Sequence, residues 1–286
     1  MTKAIALAGF IVATAIATSS VAAECPRKPV LDYKGVQVWR SGPAIGFARS
    51  GLAVDADGAP NSYRVDGDGL SYTCDGVAAI RNGVALTQPH VGWQKACVEA
   101  WTIAQQTKDY SKVSIFGFKH DCPGPCIQKE GDPLPGQAYI TTTSLSVPGT
   151  SPNTQRHYVN ASEIPYIVLP GRMARQLKIN YGDVAAVYRP KTDTVAYGVY
   201  ADAGPALGEG SVKLHQDLKS DPIRPDHEGV KRAKAGIEDR IVTVVFPGKR
   251  PQASKDTAAW YRQIREIGSQ SLREWGGEDM LRVCAK

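Results

Sequence analysis

The chain has 286 residues, 42% of them hydrophobic, with 34 Lys and Arg against 28 Asp and Glu and a formal charge of +6. This is long enough for one large domain or two small ones and apolar enough to bury a substantial core. The basic residues are scattered apart from a cluster at Arg224, Lys231, Arg232 and Lys234. With no arginine-rich run alternating with aromatics, nucleic-acid binding is not supported.

The amino terminus reads as a secretory signal peptide over residues 1–23. Lys3 is its only charge, Ala4 to Ala17 is almost wholly apolar, and Val21-Ala22-Ala23 forms a small-residue cleavage site. The apolar run is too short and too alanine-rich for a membrane span, and no later segment reaches about twenty apolar residues, so membrane insertion is not expected. The remainder, residues 24–286, is then a single exported domain, secreted or periplasmic. Six cysteines stand at positions 25, 74, 97, 122, 126 and 284. An even count in an exported chain reads as three disulfides, with the pairing open. A zinc site from His120, Cys122 and Cys126 is the sharper alternative, but Cys122-Pro123-Gly124-Pro125-Cys126 has no second ligand pair nearby, and no metal is expected.

From Val36 to Arg64, short apolar runs alternate with Gly, Asp and Pro, which predicts short strands at Val36–Trp39, Ile45–Ala48 and Leu52–Val54. Trp93, Ala96, Cys97, Ala100, Trp101 and Ala104 share one face of a helix over 92–107. Residues 122–152 hold six prolines and a threonine run, which predicts a long excursion. Strand signals return at Tyr166–Leu169, Val184–Tyr188 and Val195–Tyr200, with a hairpin turn at Pro190–Asp193. Ile241–Phe246 reads as a buried strand. A closing helix is expected from an N-cap at Ser254, through Trp260, Ile264 and Ile267, to Gly276. The pattern is mainly β: a single domain on a barrel-like core with peripheral α-helices.

Two acids carry the functional reading. Asp202 follows the strand-forming run Val195–Tyr200, and Glu209 lies beyond the turn Gly204-Pro205-Ala206-Leu207-Gly208. Such a strand and turn can face two carboxyls across one cleft, as glycoside hydrolysis requires: an acid for the departing oxygen and a base for water. The plainer alternative is that Asp occupies turns freely. Asp55 and Asp57 are candidate substrate ligands, or members of an Asp-rich turn that bond their own backbone. Their Asp-x-Asp-Gly pattern departs from a calcium loop, because Gly58 comes at the fourth place and Asp66 stands at the twelfth. Tyr63, Tyr197, Tyr200 and Trp39 are aromatic candidates for sugar stacking, against core packing. The histidines are isolated, and no Gly-x-Ser-x-Gly elbow accompanies them.

These residues resemble a known family. The stretch Gly42-Pro43-Ala44-Ile45 through Val54-Asp55-Ala56-Asp57-Gly58-Ala59-Pro60-Asn61 is similar to the amino-terminal part of the family 75 glycoside hydrolases, the fungal-type chitosanases. So are Ile164-Pro165-Tyr166-Ile167-Val168, Val184 to Val187, Tyr197-Gly198-Val199-Tyr200-Ala201-Asp202 and Gly208-Glu209-Gly210-Ser211. Pro205 and a short Asp-to-Glu interval depart from the pattern, and residues 219–286 have no evident counterpart. The resemblance implies Asp202 and Glu209 as catalytic pair, working by inversion. The sequence does not order the two roles, and the division expected here is Glu209 as acid and Asp202 as base. Among the candidates above, Asp55, Asp57, Tyr63 and Tyr200 are the expected substrate contacts, with a polysaccharide substrate, no cofactor and a monomer. Ala201 to Ala206 also resembles the aspartate strand of double-psi β-barrels, including lytic transglycosylases. Those enzymes carry a second acid where Lys213 stands here, so their architecture fits better than their chemistry.

Four functions follow. They are a secreted endo-acting hydrolase of β-1,4-linked amino-sugar polymers, a peptidoglycan-cutting hydrolase suited to the positive charge, a non-catalytic carbohydrate-binding barrel, and an exported inhibitor using the barrel as scaffold.

Overall fold

The computed structural model describes residues 24–88 and 90–286. The expected signal peptide lies outside them. In chain order the strands and helices are β1 Lys28–Tyr33, β2 Val36–Ser41, β3 Ala44–Arg49, β4 Ala53–Asp55, β5 Val77–Arg81, β6 Val84–Leu86, α1 Trp93–Thr107 and β7 Val113–Ile115. There follow β8 Tyr166–Leu169, α2 Gly171–Leu177, β9 Val184–Arg189, β10 Thr194–Ala203, β11 Glu209–Ser211 and α3 Val212–Asp217. The chain ends with β12 Ile223–Pro225, β13 Lys231–Ala233, β14 Ile241–Phe246, α4 Thr257–Trp275 and α5 Gly277–Cys284.

Nine strands form one mixed, curled sheet in the order β1-β2-β3-β14-β9-β10-β8-β11-β4. The mainly β, single-domain expectation therefore holds, while the double-psi crossing is not established by this order, in which β1 and β4 stand at separate edges. Alternation along the strands splits the core in two. Val184, Ala186 and Tyr188 face one hydrophobic layer with Trp260, Ile264 and Leu272 of α4. Ala185 and Val187 face the other, with Ile45, Phe47, Leu169, Leu214 and Val245. All six residues of β14 are buried, which explains its continuously apolar sequence. Each such Val or Ile contributes about 1.5–3 kcal/mol.

A smaller layer packs β5, β6 and β7 against α1 around Tyr63, Cys97, Trp101, Phe118 and Tyr139. Cys97, Trp101 and Ala104 are the buried face of α1, as the spacing predicted. The cysteines pair as Cys25–Cys284, Cys74–Cys97 and Cys122–Cys126. The last pairing consumes the two thiolates that a zinc site would have needed. At α4 the cap is Asp256, not Ser254: the Asp256 carboxylate accepts the Ala259 N–H at 2.9 Å, while Ser254 Oγ accepts the Asp256 N–H. Being two residues closer, Asp256 is the residue whose side chain reaches the free amides of the first turn.

Candidate active site

Three short strands bring the acids together. On β8, Val168 pairs with Asp202 of β10 on one side and Glu209 of β11 on the other. On the far side of β11, Glu209 lies opposite Ala53 and Ser211 opposite Asp55, so β4 delivers Asp55 to the same strand ends. Residues opposite one another in a sheet project to the same face. Asp202 and Glu209 thus stand on either side of Val168, two strand spacings or about 9.5 Å apart at their Cα atoms.

A bulge makes this possible. Tyr200 pairs with Ile167, but the next partner of β8, Val168, pairs with Asp202, leaving Ala201 as an extra residue. Without it, strict alternation would turn Asp202 to the core face that Tyr200 occupies. The bulged backbone is satisfied from the proline-rich excursion, where Leu145 N–H donates to Ala201 O at 2.7 Å.

The resulting groove encloses about 400 Å³, and its walls include Asp55, Asp57, Asp75, Phe116, Ser144, Val168, Asp202 and Glu209. Among the described residues, no lysine or arginine lines it. A larger cavity of about 570 Å³, lined in part by Gly58 and Pro60, mixes Glu130, Asp132 and Glu163 with Arg156 and Lys255.

Asp202 Oδ1 accepts three hydrogen bonds, from Ser144 N–H (2.9 Å), Ser144 Oγ (2.7 Å) and its neighbour Ala203 N–H (2.9 Å). Burial raises the Asp202 pKa, and these donors oppose the rise by favouring the ionised form. Among the described residues, Glu209 has no such donors. Burial, then the Asp202 charge, lift it to about 7. Gly204 leaves room for it: a Cβ there would sit 2.8 Å from Val168 Cγ1 and 3.1 Å from Glu209 Oε2.

Asp55 and Asp57 stand beside the pair. Asp55 Oδ1 accepts the Asp57 N–H at 2.8 Å, the self-bonded turn considered from sequence, although the bonding carboxylate is that of Asp55. Both carboxyls are raised well above the ordinary range, first by burial. Asp55 is raised next by the charges of Glu209 and Asp202, and Asp57 by those of Asp55 and Asp202. Gly58 closes the turn at φ +82°, where a Cβ would meet Val159 O at 1.9 Å.

The two expected tyrosines do not offer rings to the groove. Tyr63 is buried against Phe118, with its hydroxyl toward Asp57. Tyr200 is a correction. It faces the opposite core, stacked on Tyr181 and with its hydroxyl 3.5 Å from Leu169 O, because it precedes the bulge that turns Asp202 outward.

Sequence reasoning missed Ser144, Tyr166, Asp75 and Phe116. The buried Tyr166 donates its hydroxyl to Asp57 O at 2.8 Å and lies against the Asp55 carboxyl. It stood inside the quoted Ile164–Val168 block, whereas the other three carry no local signal. His215 is structural, with its ring nitrogens on Ser211 O and Leu52 O at 2.9 and 3.0 Å, bracing β11 and α3 against the entry to β4.

The sequence pattern of the family described as fungal chitosanase of glycosyl hydrolase group 75 matches residues 52–281. The chain belongs to that family. As a group 75 member it is a glycoside hydrolase, and a polysaccharide substrate suits the open groove. The match also corrects the expectation that residues 219–286 lack a counterpart: family 75 sequence continues through β14 and α4 and into α5, while the stretch from Gly42 to Gly51 precedes the matched region. No curated protein matches the chain.

Proposed function

We propose that the chain is an exported, endo-acting, monomeric chitosanase that hydrolyses β-1,4 linkages between glucosamine units with inversion. Glu209 is the general acid and Asp202 the general base. The observation that carries this reading is the placement of Asp202 and Glu209 on either side of Val168. Two strand spacings between them leave room for a water beside the scissile bond, in keeping with the roughly 6.5–9.5 Å carboxyl separation of inverting enzymes. The roles follow from surroundings. Three donors hold Asp202 ready to take a proton from water, and Glu209, lifted to about 7, retains a proton to give to the leaving oxygen.

The substrate class follows from the groove. The chain is basic overall, yet Asp55, Asp57, Asp75, Asp202 and Glu209 line this groove without a cation among them. Carboxyls crowded in this way ionise most readily beside a cation, so the groove favours ammonium groups over the carboxylates of a peptidoglycan stem, and the long-range repulsion is screened beyond about 8 Å. Asp55 and Asp57 are the proposed ammonium ligands, with Tyr63 positioning Asp57 from below. Three disulfides suit an oxidising compartment, and no helix among the described residues is long and apolar enough to cross a membrane.

The test is release of reducing ends from chitosan, chitin, peptidoglycan and β-glucan by the wild type, Asp202→Asn and Glu209→Gln. Cleavage of chitosan that falls about 10²–10⁴-fold in both variants is expected. Chitosan cleavage that survives both substitutions, or cleavage of peptidoglycan alone, overturns the reading. The pH profile is expected to be bell-shaped. Its alkaline limb falls near pH 7 as Glu209 loses the proton it must donate, and its acid limb falls as Asp202 gains one.

A further inference from the structure

Phe116 has a side chain that is 51% exposed, yet it lines an acidic groove. Its position is fixed. Val113 and Ile115 of β7 point into the smaller core, so alternation turns Phe116 outward. Both Phe116 N–H and Gly117 N–H donate to Gly76 O, at 2.9 and 3.0 Å, which draws Phe116 alongside Asp75. Gly76 and Gly117 in turn pack on the Tyr63 ring, where a Cβ on either would come within 2.7 Å of the tyrosine. Since the Tyr63 hydroxyl faces Asp57, a chain of contacts sets the aromatic ring and the Asp75 carboxyl at a fixed offset from the acids of the large sheet.

The geometry points to Phe116 and Asp75 as a distinct sugar subsite, supplied by the smaller layer, that holds one glucosamine unit away from the scissile bond and reads its nitrogen. This assignment rests on the groove being the substrate cleft. An exposed aromatic face takes the C–H face of a pyranose ring and attracts a neighbouring ammonium group. The Asp75 carboxyl accepts the Tyr72 N–H at 3.1 Å, and the one guanidinium that acts on it, Arg232, is already bound to Asp226 and to Gly67 O and Gly69 O, which leaves Asp75 as the acceptor for that ammonium. An acetamide at the same place would bring no charge to meet it.

The experiment separates binding from turnover. In the Glu209→Gln background, calorimetry measures the Kd of a glucosamine hexamer and of its fully N-acetylated counterpart. Adding Phe116→Ala is expected to raise the glucosamine Kd about five- to tenfold, and Phe116→Trp to restore it. Adding Asp75→Asn is expected to shrink the preference for the glucosamine hexamer over the acetylated one. With Glu209 intact, Phe116→Ala is expected to raise KM while kcat stays within twofold. Melting curves verify that the variants fold. A glucosamine Kd unchanged by Phe116→Ala overturns the subsite even if the wild type cleaves chitosan. A Phe116-dependent Kd upholds the subsite even if the wild type cleaves nothing, in which case it is the hydrolytic reading that fails.

Discussion

The two walls of the groove are held by different means. The sheet wall, carrying Asp202, Glu209 and Asp55, is fixed by ladder hydrogen bonds among β10, β8, β11 and β4, and backed by fully buried apolar layers. Another wall is the proline-rich excursion, whose backbone is tied by scattered backbone pairs and, between them, by buried side chains. Gln155 Oε1 accepts the Thr141 N–H at 2.9 Å while its Nε2 donates to Gly58 O and Thr141 O. Gln128 Nε2 donates to Pro60 O and Tyr139 O, and Thr143 Oγ1 bridges Val159 N–H and Leu145 O. The difference teaches where precision comes from. A sheet aims side chains through its period, whereas an irregular wall needs dedicated polar side chains wherever its buried backbone groups find no backbone partner.

The comparison breaks most completely at the bulge. Deleting Ala201 straightens β10 with Asp202 still opposite Val168, but it shortens the strand and removes the carbonyl that accepts the Leu145 N–H. The acid is then displaced relative to Glu209 and its strand loses that tie to the excursion, so turnover is expected to fall about 10²-fold. Reducing-end assays measure the loss, and denaturant melts verify that the variant folds. A deletion variant as active as the wild type would show that the bulge does not aim Asp202.

On the irregular wall the corresponding weak point is Gln155. Gln155→Leu keeps the volume but strands Thr141 N–H, Gly58 O and Thr141 O in a buried place. Stability is expected to drop by about 2–4 kcal/mol, measured as a lower denaturant midpoint with an unchanged slope. A drop under about 0.5 kcal/mol would mean the excursion is held by something else.

This asymmetry also decides what could be read from the sequence. Strands β2, β3, β8, β9, β10 and β14 announce themselves through apolar runs, and α1 through its spacing, because hydrophobic burial leaves a period in the residues. Asp202 was legible because it stands at the end of such a strand, and Glu209 because a Gly-Pro turn follows that strand and leads to it. The short strands β5, β6 and β7, with three to five residues each, are too brief to show a period. Tyr200 was misjudged because a bulge is invisible to alternation: one inserted residue exchanges the faces, and Ala201 looks like any strand alanine. Ser144 and Phe116 were missed because a loop residue meets its partner across 58 positions in one case and a groove assembled from two layers in the other.

The smallest expected effect lies where the two walls touch. Ser144, on the excursion, places both its N–H and its hydroxyl on Asp202 Oδ1, so the loop tunes an acid that the sheet aims. Ser144→Ala keeps the backbone donor and removes the hydroxyl. Because that hydroxyl favours the ionised carboxylate, its loss raises the Asp202 pKa, and the acid limb of kcat/KM against pH should move upward by about half to one unit. The alkaline limb, set by Glu209 near 7, should stay in place. Ser144→Thr, which keeps a hydroxyl on the same backbone, should return the acid limb toward the wild-type position. Movement of the alkaline limb instead would exchange the two roles, making Asp202 the proton donor and Glu209 the residue that activates water.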